Sequence, residues 1–169
     1  MIPLLIVALL AGSAPAPRIE PPSGFRYPTE SDYSGDWKEF RKTTPVPFHV
    51  SADFNGDGLE DNAWLLLSTQ GKGWALYMFI GSKDPTAPLV QKLFQDDRGT
   101  PVQRMGLGVY QPGNYDTACG KEYSECMPGE PSQLRLTRPA LDLFAFESAN
   151  SVFWWSDERK EFVQTWMHD

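Results

Sequence analysis

Hydrophobic and polar positions alternate along most of the chain after residue 45, with the period of β-strands. In VPFHVSAD, Val46, Phe48, Val50 and Ala52 take one face, and Pro47, His49 and Ser51 take the other. NAWLLLST and WALYMFI follow, separated by a GKG turn. Both runs are apolar on both faces, which predicts the central strands of a hairpin covered from two sides. LVQKLF and MGLGVY carry weaker strand patterns. QLRLT, ALDLFAFE, SVFWW and EFVQTWM close the chain; the short polar turns ESANS and SDERKE predict antiparallel neighbours. Before this region, SGDWKEFRK reads as a short helix. Ser34 is its N-cap, Asp36 lies in its first turn, Trp37 and Phe40 share a face, and Lys38, Arg41 and Lys42 come late. The fold predicted is all-β, a mostly antiparallel meander of β-propeller-blade-like or sandwich form, with one short N-terminal helix.

Two stretches break the pattern. Residues 14–28 hold Pro15, Pro17, Pro21, Pro22 and Pro28, and read as an extended linker outside the core. Residues 111–132 show no periodicity, and a loop of that length is usually functional or stapled. Ahead of both, the apolar run from Pro3 to Leu10 is too short to span a bilayer. It has the length of a signal-peptide core, and Ala11, Gly12 and Ser13 form a small-residue cleavage region. No Lys or Arg precedes the run. The expected organisation is a signal peptide over 1–13, a Pro-rich linker over 14–33 and a single β domain over 34–169. Export to the periplasm or the exterior follows. Ser13 stands where a lipidated cysteine would, so no lipid anchor is expected.

Composition narrows the function classes. The 169 residues suit one domain, and the net charge of −7 argues against nucleic acid, since phosphate binding needs a basic face. The two cysteines, Cys119 and Cys126, read as a disulfide in an exported chain. Such a short closed loop adds on the order of 2–3 kcal/mol.

The candidate chemistry lies in DFNGDGLED, residues 53–61. Asp53, Asn55, Asp57 and Asp61 stand at odd loop positions, and the Leu59 carbonyl would supply a fifth oxygen. Hard oxygen donors in flexible geometry suit Ca²⁺. An EF-hand is excluded, because its position 12 carries a bidentate Glu and here holds Trp64, at the start of a strand. The alternative is a polar hairpin ordered by Asx-turns. ADFNGDGLEDNAWLLL resembles the calcium-loop hairpin of FG-GAP/VCBS-type repeats, found in integrin-like β-propellers and in many exported bacterial proteins. The resemblance covers about residues 46–69. It implies structural Ca²⁺ at Asp53, Asn55, Asp57, Leu59 and Asp61. A single copy implies no full propeller. TACGKEYSEC, RPALDLFAFESANSVFWW and FVQTWMHD resemble a group of small uncharacterised exported bacterial proteins. Some exported proteins with one such loop act as immunity-type inhibitors of cell-wall-degrading effectors, an analogy of architecture.

Catalytic patterns are sparse: no G-x-S-x-G, H-E-x-x-H or P-loop motif is present. His49 shares a strand face with Ser51 and Asp53; His168 is next to last. Acid pairs such as Asp96 with Asp97, or Glu122 with Glu125, are the candidates for a glycan hydrolase. Asp142 reads either as an exposed acid on an edge strand or as a buried acid with a partner such as Arg138. Trp154 and Trp155 must point to opposite faces. The function expected is non-catalytic binding of a protein or cell-envelope partner by a monomeric or weakly associating domain with Ca²⁺. The alternatives are a cell-wall-glycan hydrolase or other hydrolase with structural calcium, and a purely structural envelope module.

Overall fold

The computed structural model describes residues 19–71 and 73–168; the expected signal peptide lies outside them. In chain order the elements are β1 (Phe25–Arg26), α1 (Gly35–Glu39), β2 (His49–Ala52), β3 (Asp61–Ser68), β4 (Trp74–Ile80), β5 (Leu89–Asp96), β6 (Met105–Tyr110), β7 (Gly113–Asp116), β8 (Gln133–Leu136), β9 (Ala140–Ala145), β10 (Asn150–Ser156) and β11 (Glu161–His168). Every strand pair is antiparallel. The all-β prediction holds, with one short helix among the described residues.

Two sheets face each other. The first runs β1-β3-β4-β5, with β2 also paired to β3, and the second runs β11-β10-β9-β6. Ala63, Leu65, Leu76 and Met78 of the first sheet meet Leu107, Leu141, Leu143 and Phe153 of the second in one core. Their burial is the main favourable term of folding, at about 25 cal/mol per Å² of apolar surface. The helix closes one end of this core. Trp37 is fully buried there, and its indole N–H donates to the Met105 carbonyl at 2.7 Å. Phe40, at the helix end, stacks on Phe146.

The outer faces are also covered, as two-sided apolar strands require. Outside the second sheet, the β7–β8 ribbon packs Leu134 and Leu136 on Ala140, Val152 and Met167. Outside the first, Leu66, Ala75, Tyr77 and Phe79 receive Ile19, Phe25 and Tyr27. The Pro-rich stretch is therefore not a free linker where it is described. Pro22 opens a turn, its carbonyl accepting from Phe25 N–H at 3.0 Å, and Phe25 and Tyr27 then dock on the sheet. A second correction concerns residues 111–132: Gly113–Asp116 form β7, which pairs with β8. Beyond β7 the loop is stapled as expected, by the Cys119–Cys126 disulfide. It lies along the outer edge of β11, with Ala118 N–H donating to the Trp166 carbonyl and Lys121 Nζ to that of Met167.

Candidate metal loop and adjoining cleft

DFNGDGLED is the turn of the β2–β3 hairpin, whose register pairs Ala52 with Asp61. Its polar atoms are turned on its own backbone. Asp53 Oδ1 accepts from the N–H groups of Gly56 and Asp57, at 2.7 and 3.1 Å, and Oδ2 accepts from Gly58 at 2.9 Å. Asn55 Oδ1 accepts from Asp57 N–H, and Asp57 Oδ1 from Leu59 N–H, forming two Asx-turns. Gly56 adopts φ +78°, the left-handed region that a glycine enters without steric cost.

Asp61 behaves differently from the other two acids and the amide. It is fully buried at the first position of β3. Its Oδ2 accepts from Phe54 and Asn55 N–H, at 2.8 and 3.2 Å, and its Oδ1 from Gly81 N–H at 2.8 Å. Burial pushes its carboxyl above the ordinary range, against the pull of these amides. The Gly81 contact needs a residue without a side chain, since a Cβ there would stand 2.6 Å from the Glu60 carbonyl oxygen. Asp61 thus ties the loop to the end of β4.

Among the described residues, no three His, Cys, Asp or Glu side chains stand grouped as a metal cage. Acceptor capacity decides whether a cation suits the loop. A carboxylate has about four acceptor positions and a carboxamide oxygen two. Asp53 and Asp61 each spend three, Asp57 spends two and Asn55 Oδ1 spends one. Every side chain keeps at least one position, and all donors are hard oxygens. The set fits Ca²⁺ in kind, with Asp61 the most heavily committed to backbone.

A clamp reaches this loop from the second sheet. Arg138 Nη1 donates to the Asn55 carbonyl, and Nη2 pairs with Asp157 Oδ2 at 2.6 Å. Arg138 is therefore not the partner of Asp142. That acid lies on β9, an internal strand between β10 and β6, where Asn150 Nδ2 donates to it at 2.8 Å. Burial raises its pKa to about 6, with Asn150 opposing. Removing the clamp, Arg138→Ala, is expected to cost about 1 kcal/mol in urea unfolding, most of it from the Asn55 contact, because Asp157 is exposed. No change in midpoint would mean that the loop orders itself without the second sheet.

Beside the loop lies a cleft of about 880 Å³. Asn62, Trp64 and Phe79 belong to its floor strands, β3 and β4, and Tyr27 and Tyr33 come from the N-terminal segment. Leu59 and Glu60 of the acidic loop, and Gly81, which is bonded to Asp61, line the same space. His49 is here rather than at the acidic loop: its Nε2 bonds Asn62 Oδ1 at 2.9 Å and its ring stacks on Trp64 at 4.0 Å. Burial lowers its pKa, against Asn62 and Glu60, and so favours the uncharged ring. The hydrolase candidates sit elsewhere. Asp96 is buried and holds Thr100 N–H at 2.8 Å, while Asp97, Glu122 and Glu125 are exposed. Neither pair lines this cleft. Trp154 and Trp155 do point to opposite faces, one packing toward each core. The cleft was not foreseen in the sequence; its only signal was the aromatic run of Tyr27 and Tyr33 among prolines.

Comparison with protein-family models, with curated proteins and with solved structures finds no match for this chain.

Proposed function

We propose that this chain is an exported β domain that works by binding, with Ca²⁺ stiffening the β2–β3 hairpin and a protein or cell-envelope partner taken up beside it. The observation that supports this reading is the shared wall. Leu59 and Glu60 belong to the acidic loop and line the cleft, and Gly81, which also lines it, is bonded to Asp61. A cation on Asp53, Asn55, Asp57 and the Leu59 carbonyl, with Asp61 behind them, would fix one side of the cleft. The disulfide suits the oxidising compartment to which export leads. No helix among the described residues is long and apolar enough to cross a membrane. The domain is taken to act as a monomer. An immunity-type role, blocking a wall-degrading effector, falls within this class.

Thermal unfolding with calcium and with chelator, for wild type and Asp57→Ala, tests the metal. Extracellular calcium sites bind at roughly 10⁻⁴–10⁻³ M. Calcium at about ten times Kd stabilises by about 1.4 kcal/mol, a midpoint rise of roughly 3–5 °C. The rise is expected in wild type and not in Asp57→Ala. Equal midpoints in all four measurements would leave the loop a self-sufficient polar turn.

A further inference from the structure

Several polar side chains of the cleft are engaged within the fold: Tyr27 and Tyr33 donate to the Ile19 and Pro45 carbonyls, Ser82 to that of Asp84, and Glu30 pairs with Arg41. Four others keep capacity to spare. Asn62 spends its Oδ1 on His49, and its amide N–H₂ has no partner among the described residues. Trp64 Nε1–H and the Glu60 carboxylate likewise make no hydrogen bond to a described residue. His49, bonded through Nε2, retains Nδ1. The space thus offers two donors and two acceptors on an aromatic floor.

Three ligand classes fit poorly. An anion meets Glu60 and Glu30, while no Lys or Arg lines the space. An extended peptide has no strand edge to join here, because β3 is paired at Asn62 and Trp64 with β2 on one side and β4 on the other. A wholly apolar ligand would strip water from four polar groups and give nothing back. A neutral molecule with an apolar face, and hydroxyls that both give and accept hydrogen bonds, satisfies every group. The volume is within the range of small-ligand sites.

We propose that this cleft binds an uncharged oligosaccharide, with Asn62 and Trp64 donating to its hydroxyls, Glu60 and His49 accepting from them, and the Trp64 and Tyr27 rings against its carbon skeleton. This rests on the cell-envelope form of the proposed function and deepens it. The sugar is held by side chains of β2, β3, the loop between them and the N-terminal segment, and no covalent step is implied.

The test uses the whole exported chain, with the trimers of N-acetylglucosamine and of glucose as probes. Tryptophan fluorescence and calorimetry are read in calcium and in chelator. Saturable binding of at least one trimer is expected, weakened about tenfold by Asn62→Ala and by Glu60→Ala, as for one lost hydrogen bond. Glu60 is exposed, so that variant keeps its unfolding midpoint even if Asn62→Ala does not. Absence of saturable binding by both trimers overturns the proposal, as does binding that neither substitution weakens. Binding of a proline-rich decapeptide that both substitutions weaken, without sugar binding, assigns the cleft to peptides instead. If the sugar binds although calcium never shifts the unfolding midpoint, the calcium reading fails and this one stands. If calcium shifts the midpoint and no sugar binds, this one fails alone.

Discussion

Replacing Asp61 with asparagine is expected to lower stability by about 3 kcal/mol, in calcium and in chelator alike. The carboxylate accepts three backbone N–H groups and is fully buried. Asparagine has the same shape but only one oxygen. Whichever way its amide turns, an NH₂ faces a backbone N–H that pointed at an oxygen before. One or two donors are then buried unpaired, at about 1–3 kcal/mol each, and charge-assisted bonds are lost with them. For a domain of this size, roughly 2–4 °C of midpoint follows each kcal/mol. The comparison that gives the result meaning is Asp57→Ala in chelator. Asp57 is exposed and holds only local turns, so the cost there should stay within about 0.5 kcal/mol. Urea unfolding of both variants in both conditions separates scaffold from ligand. If the Asp61 penalty appears only when calcium is present, Asp61 is chiefly a metal ligand and the hairpin is organised by the cation.

The contrast between these two acids shows what spacing along a chain can and cannot convey. Four oxygen side chains at alternate positions are legible in DFNGDGLED, and so is the hairpin that holds them. That Asp61 faces inward while Asp57 faces water is partly legible too, since Asp61 begins the apolar run of β3. Its third partner is not. Gly81 comes 20 residues later, at the far end of β4, and reaches Asp61 only because β3 and β4 pair in one register. Arg138, offered as one possible partner of a buried Asp142, goes elsewhere for the same reason. It is near Asp142 in sequence, but chain direction carries it to the β2–β3 loop and to Asp157, in the turn between β10 and β11. Local patterns fix elements; partners across sheets depend on topology, which has no periodicity to read.

The N-terminal segment shows the converse. Proline density suggested a linker, whereas the neighbouring strands carried the better information. NAWLLLST and WALYMFI were apolar on both faces, so something had to cover the face away from the second sheet. Ile19, Phe25 and Tyr27 do so. β7 was missed because GNYD has no alternating apolar residues. Its pairing is supplied by β8, where Leu134 and Leu136 are buried and the residues between them are not.

Asp142 yields the second large effect, and its sign is the opposite of a paired carboxylate. Its pKa is about 6 in the fold, through burial, against a usual value of 3.8. The folded state therefore binds a proton that the unfolded state releases between about pH 4 and pH 6. Stability from this group is fully present below the unfolded value and falls as pH rises through the folded one. At 1.36 kcal/mol per pKa unit, the loss by pH 8 approaches about 3 kcal/mol. Asn150 Nδ2 can donate equally to an amide oxygen, and Gly108 opposite leaves room beside the carboxyl. Asp142→Asn should then match wild type at pH 4 and exceed it at pH 8, by about 2–3 kcal/mol. Lys121, Glu147 and His168 border the adjoining depression with Asn150, so the measurement is the difference between the two proteins at each pH, in which those shared groups cancel. Asp32, held well below the usual range by Arg26, pulls the whole curve the other way on acidification, and cancels likewise. A variant that is less stable than wild type at pH 8 would mean that the Asp142 carboxylate is held charged, by a partner stronger than Asn150. A strand face that keeps such an acid between β10 and β6 without a cation then needs a reason other than packing, and the depression beside it is where that reason would be sought.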